Sequence, residues 1–437
     1  MGLCITTEQG RCEAGDVSCP LFRKAGESFP MTLRAMAWEK EEDADICNGN
    51  GTTPNFEMAN IALDSEVVAP SGGVNADVQT PVYQHQRASD SRNDLVQSLD
   101  DVGVFRLTAT PQEAYFGYPI PPARSDPVGR IVPWDFALNE PEITPMCAGF
   151  IYMSQPFNSA FILSARNKVG GVTYNYRDEF ARGEISLVAA NQRDGVDRSD
   201  RLTLSPDGQW ASGLYQVERG EQQLLLNTRF DRGEGPEDPL LELAFGVRID
   251  DRDGGVSALA DLDMNPAWRG DCREQGNCDA RLLGQDELRY GRLKVATEQG
   301  ASSEPLALRQ EVEFYQGGWR RNQDDSCTEL DLSGYEFTDP GQDYQAASQA
   351  LSFNGGSINI GLGQTASGSR TARVEGGLTY LQLGAPNQVL RVPYKVALWQ
   401  QPDEPLWLSD PDTLEGVAIF GNSRGNDRLI YRREYFR

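Results

Sequence analysis

Apolar residues recur at every second position over much of this chain. In LALRQEVEF the period runs through Leu306, Leu308, Val312 and Phe314, and in LRVPYKVAL through Leu390, Val392, Tyr394, Val396 and Leu398. A period of two predicts strands with one buried face, because successive side chains of a strand point to opposite sides. Turn-forming clusters separate the apolar runs: APSGG at 69–73, NGNG at 48–51 and SPDG at 205–208. Such spacing leaves little room for helices, and the main helical candidate, DYQAASQALS from Asp343, is short and peripheral. Many short strands without a strand–helix alternation predict an all-β fold of tandem antiparallel, Ig-like β-sandwich domains.

An internal repeat refines this picture. GESFPMTLRAMA with the later TTPNFEMANIAL parallels SQPFNSAFILSARN with the later VTYNYRDEFARGEISL. Each copy holds a Phe (Phe29, Phe157), a strand ending in Ala (Ala35, Ala165) and an Asn-aromatic pair (Asn55-Phe56, Asn175-Tyr176). A spacing of about 125 residues exceeds solenoid periods and suits tandem sandwiches. The expected domains are 1–145, with a Cys-rich start, and a related 146–330. The segment 331–437 either completes the second sandwich or forms a third.

Composition narrows the chemistry. The chain has 437 residues, enough for two or three domains, and a formal charge of -25. That charge repels phosphate backbones and anionic lipid, so nucleic-acid binding and direct membrane insertion are not expected. No run of 18 apolar residues offers a membrane span. The start, MGLCITTEQG, lacks the basic and apolar regions of a signal peptide, so an exported protein is expected here as a mature portion or fragment with an added Met.

Eight cysteines, Cys4, Cys12, Cys19, Cys47, Cys147, Cys272, Cys278 and Cys327, form no C-x-x-C, which favours disulfides and an oxidising compartment over zinc. Cys272 and Cys278 are close enough in sequence to staple one surface loop. The single histidine, His85, cannot supply a two-histidine zinc site, and without motif context it reads as an ordinary surface or loop residue. Any Ser-His-Asp arrangement would have to run through His85, and paired carboxylates of the glycosidase type leave no linear signature; an enzyme is not expected.

One acidic stretch raises a metal question. RIDDRDGGVSALADLD, 248–263, fails as an EF-hand, since placing Gly254 at loop position 6 puts Ile249 at 1 and Ala260 at 12. A looser calcium site from Asp250, Asp251 and Asp253, with Asp261 or Asp263 folding back, stays open. The alternative is a solvated acidic turn partly neutralised by Arg248 and Arg252. The loop NQRDGVDRSD at 191–200 repeats the Asp-Gly pattern more weakly, and Arg269-Gly270-Asp271 before Cys272 reads as coincidence in a chain rich in these residues. Trp134, Trp210, Trp268, Trp319, Trp399 and Trp407 are expected to be packing residues; only an exposed aromatic cluster would make a sugar-stacking surface.

Several segments resemble a known family. IFGNSRGNDRLIYRREYFR from Ile419, CAGFIYMSQPF from Cys147, TYNYRDEFA from Thr173, YGRLKV from Tyr290, DDSCTELDL from Asp324 and VGRIVPWDF from Val128 are similar to the MshQ-like surface proteins encoded with mannose-sensitive haemagglutinin (MSHA) type IV pili. The resemblance spans roughly Phe29 to Arg437 and is most specific at the terminal segment and at NQDDSCT from Asn322. It implies an exported bacterial protein whose β-rich region follows other modules, often lectin-like, and it supplies no catalytic residues. It also implies a Cys147–Cys327 pairing, since both lie in its motif segments. The expected function is non-enzymatic: pilus biogenesis or tip presentation and adhesion, with pilus subunits such as minor pilins, or a surface glycan or receptor, as partners. The alternative is a carbohydrate-binding module, assisted by calcium.

Overall fold

The computed structural model describes residues 1–40, 45–191, 194–204, 208–217, 227–398 and 406–421. The turn at 205–207, Trp399 and the motif beyond Gly421 lie outside them. Among the described residues there are strands and single 3-10 turns and no α-helix. The expected helix from Asp343 is instead a strand, Asp343–Gln345, a 3-10 turn and a second strand, Ala350–Phe353, which pair antiparallel. Tyr344 packs its ring on Phe337 at 5.0 Å, so this segment is recruited by the sheet rather than by helix propensity.

The sheets form three sandwiches in a row. The first joins a sheet of Gly2–Thr7, Phe29–Met36 and Arg92–Gln97 to one built on Met58–Ala69, Gly103–Pro111 and Val128–Val132. In the second, Pro156–Arg166 with Asp135–Thr144 and Leu214–Val217 faces Gly183–Asn191, Leu240–Asp251 and Arg281–Arg289. The third sets Gly291–Val295, Leu306–Tyr315, Leu378–Leu383 and Gly356–Leu362 against Tyr335–Phe337, Leu390–Val396 and Glu415–Phe420. The alternating residues behave as their period demands: Leu308, Val312, Val392, Tyr394 and Val396 are buried in one core.

Two boundaries differ from the sequence reading. Strands stop at Val132 and resume at Asp135, so the first sandwich ends before 145. The second ends at Arg289, not near 330, because Leu306–Tyr315 pairs with Leu378–Leu383 and Gly291–Val295. The last third of the chain is therefore a separate sandwich with its own sheets.

The internal repeat is a repeat of local structure. Thr53 donates from its N–H and its hydroxyl to the Ala35 carbonyl, at 2.9 Å each, and Thr173 does the same to Ala165, at 2.9 and 3.1 Å. Three residues on, Phe56 and Tyr176 enter the cores of their sandwiches, both 1% exposed. The Asn between them has different fates: Asn55 is exposed, while Asn175 is buried between two sandwiches.

Candidate functional site: the two joints between sandwiches

A set of buried, hydrogen-bonded polar residues lies where sandwiches meet. At the first joint, Arg130 of the first sandwich reaches Asp253 of the second through two hydrogen bonds, 2.7 and 2.8 Å. Arg182 adds a third at 2.8 Å. The Arg130 and Asp253 side chains are only 7% and 4% exposed. Burial would raise the Asp253 pKa, but the Arg130 hydrogen bonds and the charges of Arg130 and Arg182 outweigh it and hold the carboxyl below its ordinary range. A bidentate Arg–carboxylate pair has a fixed direction as well as charge, so it sets the angle between the two bodies.

Asn175 closes the same joint on another side. Its Nδ2 donates to the Val74 carbonyl and its Oδ1 accepts the Val74 N–H, both at 2.8 Å. Beside it, the Asp101 carboxylate accepts from the N–H groups of Tyr174 at 3.1 Å, Asn175 at 3.0 Å and Val102 at 2.7 Å. Burial pushes the Asp101 pKa up to about 6, with the three N–H donors opposing that rise. Lys24 and Lys168 each approach the Trp134 ring, at 5.4 and 5.5 Å. Underneath, Cys12, Cys19, Val102 and Val104 share one apolar cluster with Phe136, Phe161 and Tyr176. The joint thus continues the hydrophobic core across a domain boundary, which opposes hinge motion.

The second joint is covalent. Cys147, from the second sandwich, is bonded to Cys327 of the third, with Cα atoms 5.5 Å apart. Phe150 and Tyr152 follow it into the core of the third sandwich. The Tyr152 hydroxyl donates to Asp325 at 2.9 Å and accepts from Asn322 Nδ2 at 2.6 Å. Burial first, and then the Asp325 charge, raise the Tyr152 pKa well above normal, so the hydroxyl remains a donor. Arg289 bonds Asn322 and Asp324, at 2.6 and 2.7 Å, with its guanidinium 4.6 Å from the Phe150 ring centroid and 4.8 Å from that of Phe314. Arg232 adds bonds to the carbonyls of Trp407 and Ser409.

The sequence-predicted residues are distributed as follows. Asp250, Asp251 and Asp253 do not converge on a common ion position. Asp250 is exposed on its strand and Asp251 is buried, as neighbours on a strand must alternate. The Asp251 carboxylate caps its own turn, accepting from the N–H groups of Asp253 and Ser257 at 3.0 and 2.8 Å, and Asp253 is held by arginines. Asp263 turns to Leu282 N–H and Arg281. Arg248 pairs with Asp279, and Arg252 with Glu184, so neither neutralises the turn as expected. In this arrangement the counter-charge at Asp253 comes from Arg130, 123 residues away.

Among the described residues, one group of potential ligand atoms is close enough for a metal, namely Cys147, Asp325 and Cys327, and its two sulfurs are already bonded to each other. Cys272 is paired with Cys278, Cys4 with Cys47 and Cys12 with Cys19. Asp271 of the Arg269-Gly270-Asp271 tripeptide accepts from the Arg273 N–H at 2.9 Å and so caps a 3-10 turn. His85 is fully buried, not a surface residue: its ring nitrogens meet Tyr83 Oη at 3.0 Å and Ser91 Oγ at 3.1 Å, and burial lowers its pKa. Arg130, Asp101 and Tyr152 were not singled out from sequence, and Asn175 only as a member of the Asn-aromatic repeat. The only signal was that VGRIVPWDF, TYNYRDEFA and NQDDSCT, the segments of family resemblance, hold or adjoin the joint residues.

Three consecutive stretches match models of one family. Residues 1–94 match DUF6701, second domain, 101–279 the third domain, and 289–435 the fourth. The third-domain match begins inside the first sandwich, whose sheet is completed by Gly103–Pro111 and Val128–Val132. No curated protein matches the sequence. Among solved structures, the chain is similar to invasin, a bacterial integrin-binding protein, at 8% identity and TM-score 0.25, over 96% of this chain and 60% of that one. It is similar to InvD of Yersinia pseudotuberculosis at 9% identity and TM-score 0.29, over 90% and 91%, and to a three-Ig fragment of titin at 7% identity and TM-score 0.23, over 96% and 99%. At these scores the likenesses carry no argument; the fold assignment rests on the sheets themselves. No helix among the described residues is long and apolar enough to cross a membrane.

Proposed function

The chain belongs to the DUF6701 family, whose second, third and fourth domains account for most of its length, and on that premise we propose that it is a non-enzymatic, exported surface protein of adhesion type. Its three sandwiches act as a stiff spacer that sets the position of a binding element away from the cell. The carrying observation is that both joints are closed: one by the buried Arg130–Asp253 pair over a shared core, the other by a disulfide over a second shared core. Flexible linkers would make domains that move independently; these joints oppose that. Four disulfides with no free cysteine suit an oxidising compartment.

The finer reading follows the sequence resemblance. The protein serves an MSHA-type IV pilus, in its biogenesis or at its tip, with pilus subunits as partners. Supporting it are the resemblance segments that fall on the joints, Val128–Val132, Thr173 to Tyr176 and Asn322 to Cys327. The test is co-purification of a tagged protein with pili sheared from intact cells. Recovery with pili is expected; a protein found at the surface of pilus-free cells at the same level, and absent from the sheared fraction, contradicts the pilus role.

A further inference from the structure

The first sandwich carries an aromatic feature that neither joint uses. After Gly103–Pro111 the chain makes a two-residue hairpin: Tyr115 N–H donates to the Tyr118 carbonyl at 2.9 Å, and Tyr118 N–H to that of Tyr115 at 3.0 Å. Phe116 and Gly117, at its apex, both have left-handed backbone, φ 50° and 82°. Such turns favour Asn-Gly or Asp-Gly. A bulky Phe at the first position is a steric outlier. Nor is it there to fill a core, since Phe116 is 84% exposed and Tyr118 76%.

The rings are supported from below. Phe116 lies edge-on to Tyr115, with centroids 4.5 Å apart; Tyr115 meets Phe56 at 5.0 Å, and Phe56 meets His85 at 5.1 Å. Phe56 and His85 are buried, so the exposed ring stands on a fixed base. Next to the hairpin, Asn60 Nδ2 donates to Glu113 Oε1 at 3.3 Å, an exposed amide–carboxylate pair. Strand Gly103–Pro111 starts where Val104 enters the joint core and runs away from it for nine residues. At about 3.3 Å per residue the hairpin is roughly 25–30 Å from the joint, beyond the opposite end of that strand.

We propose that this hairpin is a carbohydrate-binding tip: a neutral sugar ring stacks its C–H face on Phe116 and Tyr118, and its hydroxyls bond the Asn60–Glu113 pair. The idea deepens the adhesion reading and rests on it. Two aromatic side chains bury about 150–250 Å² each, well short of the roughly 800 Å² per partner of a stable protein interface. That area suits one or two sugar rings. The net charge of -25 and Glu113 disfavour acidic sugars and anionic lipid headgroups. A rigid aromatic donor surface beside an amide and a carboxylate is the chemistry a neutral polyol requires.

The test uses the full chain on an array of neutral and acidic oligosaccharides, with Phe116→Asn and Tyr118→Ala as variants. Binding to neutral glycans, weakened at least tenfold by either variant, is expected. Phe116→Asn should melt no lower than the parent, because Asn tolerates left-handed backbone. Absence of glycan binding, or binding unchanged in Phe116→Asn, overturns the proposal. So does attachment to phosphatidylcholine vesicles, or self-association in sedimentation, that Phe116→Asn abolishes. Pilus co-purification of Phe116→Asn separates the two ideas: the adhesion and pilus reading survives if it persists while the tip proposal fails.

Discussion

The two joints solve one mechanical problem with different chemistry. The first has no covalent bond and relies on an ion pair withdrawn from water, Arg130 with Asp253, which the more exposed Arg182 joins, together with the Asn175 clamp. The second has the Cys147–Cys327 bond and a network centred on Tyr152 and Asn322. The difference teaches that the first joint is held by interactions that fail when a single partner is removed, because a buried charge left alone is costly. The second sets a covalent bond beside its buried polar network, so it also depends on redox state.

The largest effect is expected from Asp253→Ala, which leaves Arg130 buried without its partner. A loss of about 3–5 kcal/mol is predicted, measured as a lower urea midpoint, with the first sandwich becoming sensitive to proteolysis near Val132. If Asp253→Ala costs no more than a surface substitution, the joints are not distinguished by buried charge.

Next comes the double substitution Cys147→Ser, Cys327→Ser. Removing a disulfide costs about 2–4 kcal/mol, and the melting temperature of the variant should not change when reductant is titrated to the point at which this bond alone is cut in the parent. A variant as stable as the parent would show that the Tyr152 network suffices to hold the second joint.

Asn175→Ala is expected to be milder, about 1–3 kcal/mol for the loss of its two hydrogen bonds to the Val74 backbone. Asn55→Ala supplies the control. It occupies the equivalent place in the repeat but is exposed, so it should change stability by less than about 0.5 kcal/mol. Equal effects would mean that the repeat, not the joint, explains Asn175.

The most specific effect is a pH term. The Asp101 carboxyl has a folded pKa of about 6 against an ordinary 3.8, so its protonated form is favoured by folding. Its contribution is complete below about pH 4 and is lost as pH rises through about 6, at no more than about 1.4 kcal/mol per pH unit. Asp101→Asn should therefore gain on the parent between pH 4 and 6; a variant that loses ground over that interval contradicts the assignment. His85 acts oppositely: its pKa is lowered by burial, so its contribution is lost as pH falls below the ordinary imidazole range. Melting in both directions separates the two groups.

Much of the fold was legible because period-two burial is a local property. Leu308 and Val312, or Val392 and Val396, announce their strands without reference to the rest of the chain. The Asn-aromatic repeat was legible for the same reason, and Cys272–Cys278 for its short loop. The joints were not. Arg130 and Asp253 are 123 residues apart, and nothing in RIDDRDGG tells a carboxylate awaiting an ion from one awaiting an arginine in another domain. The same five aspartates that suggested calcium are divided among a turn cap, an inter-domain pair, a strand surface and bonds to Arg281 and Leu282. Phe116 was missed because an exposed aromatic is visible only once neighbours fail to cover it.

The central claim is that the three sandwiches form one stiff body, and small-angle X-ray scattering of the full chain tests it most directly. For the unmodified protein, one fixed arrangement of the sandwiches should account for the scattering. Combining Asp253→Ala with the Cys147→Ser, Cys327→Ser pair should give a curve that only a mixture of arrangements fits. An unmodified protein that already requires such a mixture, with no change on breaking the joints, would contradict the account.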